Sequence, residues 1–195
     1  MSNYDYPELK TFLDDLAGDG AVPAGGAAAA VTGAMGAALV AKITTLASRH
    51  DDAGPNSARL EEIAARAAEL SNGLHAQAGA DATAYEAFMD ELDPMQKPER
   101  LMDACEPPRR IAQDCAEAAE LAVEALAHCP GHLVSDLGGG ALLAGSACAM
   151  AGDAVGANIK ELPDAPAVQK LTQEMQSYLQ RAIQCAAEAK QQMAQ

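Results

Sequence analysis

An all-α bundle of long antiparallel helices is the fold the sequence predicts, and three observations carry it. Apolar residues recur at spacings of three and four, the helical period, over most of the chain. Gly and Pro gather in short breaks between those stretches. The apolar residues are mostly alanine: 49% of the chain is hydrophobic but only 3% aromatic, which leaves few of the bulky β-branched and aromatic residues that sheets favour. A core of alanine gains its stability from close backbone approach over a long area, and helices lying side by side provide that. At 195 residues the chain fits a single domain spanning 1–195, large enough to bury a core.

The elements follow in order. Residues 8–17 form a short helix with Leu9, Phe12, Leu13 and Leu16 on one side, broken by Gly18, Gly20 and Pro23. A second helix runs from about Gly25 to Ser48, with Gly26, Ala29, Gly33, Gly36 and Ala37 at helical spacing. Glycine inside a helix costs about 1 kcal/mol relative to alanine. Several in one helix therefore imply that another backbone, or a flat ligand, comes very close. Asp51 to Pro55 form a loop, and Asn56 or Ser57 can cap the next helix.

That third helix is long and regular. Leu60, Ile63, Ala67, Leu70, Leu74, Asp81, Tyr85, Phe88 and Leu92 lie on one stripe, and Pro94 and Pro98 end it. A further helix, interrupted near Pro107 and Pro108, carries Ile111, Cys115, Ala118, Ala122, Ala125 and Cys129 up to Pro130 and Gly131. The next starts at about Ser135 and reaches Asn158, with Asp136, Leu143, Met150 and Ala157 in one phase. After Pro163 and Pro166 a last amphipathic helix bears Val168, Leu171, Met175, Tyr178, Ala182, Cys185, Ala189 and Met193. The alanine seams offer more close-packing surface than one bundle needs, which predicts a homodimer.

The formal net charge of -15 argues against nucleic acid and anionic membranes as partners. Residues 1–20 are acidic and lack the basic start and apolar core of a signal peptide. The uncharged run 21–41 consists of Gly, Ala, Thr and Pro with few large apolar side chains, so a membrane span is not expected. Five cysteines, Cys105, Cys115, Cys129, Cys148 and Cys185, all fall inside helical patterns without a Cys-x-x-Cys pair. Reduced, buried thiols and a cytoplasmic location follow.

Asp81 is the most informative acid. It shares its phase with Leu60, Ala67, Leu74 and Phe88, where a hydrophobe is expected. A carboxylate on an apolar seam is a candidate for a shifted pKa and for catalysis. The alternative is a local opening in which Asp81 bonds a helix terminus. Asp136 lies in Val134-Ser135-Asp136 ahead of three glycines. Ser135 as a cap and Asp136 as a complement to the helix dipole explain it structurally, whereas the glycines would let a ligand approach. Pro23-Ala24-Gly25-Gly26 opens a helix whose free amides could hold an anion or a carbonyl oxygen. Lys42 either extends into solvent or meets an anionic group on a ligand. His128 and His132 flank Cys129, but Pro130-Gly131 breaks the helix between them and nothing completes a metal site.

Phe12-Leu13-Asp14-Asp15-Leu16-Ala17, then Pro23-Ala24-Gly25-Gly26-Ala27-Ala28-Ala29-Ala30-Val31, then Gly33-Ala34-Met35-Gly36-Ala37-Ala38-Leu39-Val40 resemble the start of the formiminotransferase-cyclodeaminase C-terminal family. Asp81-Ala82-Thr83-Ala84-Tyr85 is similar to its Asp-Ala-x-Ala-aromatic segment. Val134-Ser135-Asp136 is similar to its Ser-Asp helix start, and Asn158-Ile159 to its later asparagine site. The resemblance covers nearly the whole chain. It implies an all-helical homodimer acting on one-carbon tetrahydrofolates, without metal or nucleotide cofactor. Members either close formiminotetrahydrofolate with loss of ammonia or hydrolyse methenyltetrahydrofolate. The chain reads as this domain alone, and its Gly25-Gly26-Ala27 stretch lacks the serine associated with cyclodeaminases, so the resemblance points to a cyclohydrolase, with a cyclodeaminase or a non-catalytic helical binding protein of the same fold as the alternatives. Carried over residue by residue, it implies catalytic Asp81 and Asp136, with Gly25, Gly26, Ser135 and Asn158 binding substrate; Lys42, meeting an anionic group on the ligand, is the further substrate-binding candidate read from its charge. The chain departs from the family at Pro23-Ala24, at Arg49-His50, near Ala154 and at Lys42.

Overall fold

The computed structural model describes residues 6–194, which form seven α-helices and no strand among them. They are α1 (Pro7–Leu16), α2 (Gly25–Ser48), α3 (Ser57–Met89), α4 (Lys97–Asp103), α5 (Glu106–Leu126), α6 (Val134–Ile159) and α7 (Pro166–Met193). Two short 3-10 turns, Asp51–Asn56 and Gly131–Leu133, precede α3 and α6. The 51–55 segment, expected as a loop, is thus a tight turn; within it Gly54 takes φ 47, a left-handed conformation that glycine adopts without a Cβ clash.

Helix α5 is the centre of the bundle. It packs against α2, α3, α6 and α7, while α2 lies between α3 and α6, and α6 between α2 and α7. The predicted stripe of α5 is buried through Ile111, Cys115, Ala118, Ala122 and Ala125. Cys129 falls beyond the helix and is half-buried. The interruption expected near Pro107 and Pro108 is the break between α4 and α5 at residues 104 and 105; the prolines themselves sit in the first turn of α5, where a missing N–H leaves no bond unmade. Three arginine forks tie neighbouring helices to α5: Arg59 to Glu124, Arg66 to Glu117, and Arg181 to Glu120. Partly exposed pairs of this kind add little stability, but their planar geometry fixes register.

The glycines of α2 do what their spacing implies. A Cβ on Gly36 would meet the backbone of Gly140 and Ala144, and one on Gly33 would meet Cys115 and Ala147. Gly33 thus faces Ala147, Gly36 faces Ala144 and Val40 faces Gly140, so α2 and α6 run antiparallel in close contact. Both are long and apolar enough to cross a membrane by length and composition; 56% of the α2 window and 39% of the α6 window are buried inside the bundle.

Three expectations are corrected in detail. Neither Asn56 nor Ser57 caps α3: Ser57 Oγ instead donates to the Ser48 carbonyl at 2.8 Å, closing the end of α2. Leu9 and Leu13 of α1 are exposed rather than packed. The α3 stripe is buried from Leu60 to Leu74, but Asp81, Tyr85 and Phe88 are only half-buried, and Leu92 lies beyond the helix and is exposed.

Candidate active site

Where the α3 stripe opens, the start of α2 and the end of α6 meet it. A cleft of about 270 Å³ is lined there by Val22, Ala24, Gly25, Gly26, Asp81, Tyr85, Ala104, Pro108, Ala154, Ala157 and Asn158. The antiparallel register of α2 and α6 explains the meeting: it sets the first turn of α2 beside the last turn of α6. The closeness of α2 to α3 depends on glycine, because a Cβ on Gly26 would overlap the carboxylate of Asp81.

Asp81 bonds a helix terminus at a local opening, the structural alternative read from its place in the sequence. Ala24, the residue before α2, offers no side-chain cap. The Ala27 N–H donates instead to the Asp81 carboxylate, so an acid from α3 caps α2 from across the interface. The same carboxylate lines the cleft. Burial pushes its pKa above the ordinary aspartate value, and the Ala27 hydrogen bond opposes that rise in part. Asp81 is the one acidic or basic side chain among the residues lining the cleft.

Asn158 stands across from it. Its side-chain amide bonds the sulfur of Cys105, whose thiol burial pushes up to about 11. Cys105 in turn donates to the Leu101 carbonyl at 3.3 Å, which anchors the sulfur to α4. Tyr85, one turn beyond Asp81, forms an aromatic wall, with Phe88 at a ring-centroid distance of 6.0 Å and Lys97 Nζ 5.1 Å over the Phe88 ring.

The structure therefore brings Asp81, Gly25, Gly26 and Asn158 together. It does not bring Ser135, Asp136 or Lys42 to them within one chain. Ser135 and Asp136 are exposed in the first turn of α6, and 22 residues of helix separate Asp136 from Asn158, roughly 33 Å at 1.5 Å per residue. Asp136 complements the helix dipole as read, but Ser135 is inside the helix and makes no cap. Lys42 is exposed and lies 17 residues, roughly 25 Å, beyond Gly25 along α2. Among the described residues no group of three or more His, Cys, Asp or Glu could hold a metal ion; His132 instead pairs its ring with His50, centroids 6.0 Å apart. Tyr85 was legible as a site residue from its spacing to Asp81. Cys105, Pro108 and Ala104 were not, because they enter from the α4–α5 corner across the bundle.

The chain is similar to known proteins in sequence and in fold. The sequence pattern described as formiminotransferase-cyclodeaminase matches residues 8–177. A methenyltetrahydrofolate cyclohydrolase of Methylorubrum extorquens is 28% identical over 186 residues, covering 89% of each chain. The crystal structure of a formiminotetrahydrofolate cyclodeaminase from Thermotoga maritima superposes with a TM-score of 0.91 at 22% identity, over 95% of both chains, and so has the same fold.

Proposed function

Because the chain belongs to the formiminotransferase-cyclodeaminase family, we propose that its cleft hydrolyses methenyltetrahydrofolate to formyltetrahydrofolate. The observation that carries the reading is Asp81: a half-buried carboxylate, alone in charge among neutral cleft residues. Such a cleft suits a flat organic cation. The substrate's reacting carbon lies between two nitrogens that share one positive charge, and a desolvated carboxylate attracts that charge more strongly than water does.

The carboxylate then acts as a base. Water adds its oxygen to the cationic carbon while Asp81 takes one of its protons. The neutral adduct collapses with cleavage of one carbon–nitrogen bond, the proton passes to the departing nitrogen, and the remaining nitrogen keeps the formyl group. One water is consumed and one proton is released for each cation hydrolysed. The substrate already carries the charge that makes its carbon electrophilic, so the chemistry requires no metal or nucleotide. A raised pKa suits a base that must receive a proton from water and give it up within a turnover. Tyr85 offers a wall for ring stacking, and the Asn158 amide a fixed pair of hydrogen-bonding groups, oriented by Cys105.

The test follows the absorbance of methenyltetrahydrofolate with purified protein, against buffer and the Asp81→Asn variant. Faster decay with the wild type than with either control is the expected result. No acceleration by folded protein would sink the cyclohydrolase reading. Ammonia release from formiminotetrahydrofolate in its place would assign the cleft to cyclodeamination, the activity named for the Thermotoga maritima relative.

A further inference from the structure

Next to the Asp81 cleft along α3 lies a second cavity of about 210 Å³, lined by Phe88, Pro94, Lys97, Pro98, Leu101 and Glu161. The two cavities share their walls. Tyr85, Ala104 and Asn158 line the first, whereas Phe88, Leu101 and Glu161 line the second. Each residue of one set is three positions from its counterpart in the other, about one helical turn. Asp81, Tyr85 and Phe88 fall at spacings of four and three on one face of α3. Phe88 is therefore roughly 10 Å from Asp81 along the helix, at 1.5 Å per residue. Neither cavity alone, at about 270 and 210 Å³, reaches the roughly 300 Å³ at which small-molecule sites usually begin, but as one groove they pass it.

The second cavity differs from the first in its charges. Lys97 and Glu161 are the ionic side chains that line it. Lys97 Nζ stands 5.1 Å over the Phe88 ring, and among the described residues it enters no ion pair. The nearby Arg100 differs: it lies 3.7 Å from Glu91 and 3.5 Å from Asp103. An ammonium resting on an aromatic face at an exposed site is held weakly, so Lys97 can turn to an anionic group on a ligand. Glu161 opposes the same anion.

The methenyltetrahydrofolate cation carries such a group at the matching reach. One nitrogen beside its reacting carbon bears a benzoyl ring, and that ring ends in glutamate. Standard bond lengths put the nearer glutamate carboxylate roughly 10 Å from the reacting carbon, which is the spacing of Phe88 from Asp81. With the carbon at Asp81, the benzoyl ring lies along Tyr85 and Phe88, whose rings suit offset stacking. The carboxylate then arrives at Lys97. We propose that the second cavity is the subsite for the substrate's acidic tail, with Phe88 beside the benzoyl ring and Lys97 selecting the carboxylate. The choice of substrate rests on the cyclohydrolase reading, but binding tests the subsite without turnover.

The probes are tetrahydrofolate and its glutamate diamide, the same molecule with a neutral tail. In calorimetry at low salt the wild type should bind tetrahydrofolate about fivefold more tightly than the diamide, the upper end for an exposed ion pair. Lys97→Gln should bring that ratio to about one, Lys97→Arg should keep it, and Glu161→Gln should raise it. A substitution that only disturbs packing weakens both probes alike and leaves the ratio where it was. With methenyltetrahydrofolate and its diamide as substrates, the same ratios should appear in KM. A wild-type ratio near one, or a ratio that Lys97→Gln leaves at the wild-type value, overturns the subsite. A wild type that hydrolyses methenyltetrahydrofolate and its diamide with equal KM keeps the cyclohydrolase reading and loses the subsite. A wild type that shows the ratio in binding but hydrolyses neither cation sinks the cyclohydrolase reading and leaves the subsite standing.

Discussion

Gly26 and Asp81 are in mutual contact so close that a methyl group on Gly26 would overlap both carboxylate oxygens. Gly26→Ala therefore pushes the acid out of place without adding or removing a charge. A displacement of about 1 Å at a reacting group costs on the order of 100-fold in rate. The expected result is a loss of kcat/KM of that order with retained helical content, read by steady-state kinetics and circular dichroism. Wild-type kinetics in this variant would remove Asp81 from the reaction.

Asp81→Asn keeps the shape and an oxygen for the Ala27 N–H but removes the base. A fall in kcat of about 10²–10⁴-fold is expected, the usual contribution of a general base. Stability should move the other way. Burial raises the folded-state pKa of Asp81 above its unfolded value, so the folded state binds the proton more tightly. Asp81 therefore costs the wild type stability increasingly as pH rises from the ordinary aspartate value through its raised one, and the cost is constant above. At neutral pH the variant should melt higher than the wild type. Below the ordinary aspartate pKa the two should coincide. Wild-type activity should rise with pH as Asp81 ionises, and a flat pH–rate profile would count against it as the base.

These two residues also show how far the sequence could be read. Helix bounds were legible within a few residues because the apolar period and the Gly-Pro breaks reflect local physics. Asp81 stood out because a charge occupied a phase otherwise held by Leu60, Leu74 and Phe88. Its partner Ala27 was not legible, since a cap donated by one helix to another depends on tertiary placement. Ser135 and Asp136 were grouped with Asp81 by resemblance, and Lys42 by its charge within the glycine-rich helix. Helix length alone separates Asp136 from Asn158, and that arithmetic was available from the sequence. The Cys105–Asn158 contact left no local signal, because its two members lie 53 positions apart.

Cys105→Ala tests that contact. The change leaves the cleft's charge intact but releases the Asn158 amide from the sulfur. A lost hydrogen bond of about 0.5–1.5 kcal/mol corresponds to roughly a 2- to 12-fold weakening. KM should rise by that amount while kcat changes less, and Asn158→Ala should show a loss at least as large. An unchanged KM in Cys105→Ala would make Cys105 a packing residue only.

The last prediction separates glycines that hold helices together from one that does not. A Cβ on Gly36 would stand 2.9 Å from the Gly140 oxygen and 3.0 Å from the Ala144 nitrogen. Both are backbone atoms, so α2 and α6 have to part along their length. Overpacking of this kind typically costs about 1–3 kcal/mol. Gly79 lies on the exposed side of α3 with nothing near its Cβ position, and alanine there should stabilise by up to about 1 kcal/mol through helix propensity. Urea unfolding at one fixed protein concentration should therefore give a lower midpoint for Gly36→Ala and a higher one for Gly79→Ala, opposite signs for the same chemical change. Equal midpoints would mean that α2 and α6 are not in backbone contact at Gly36.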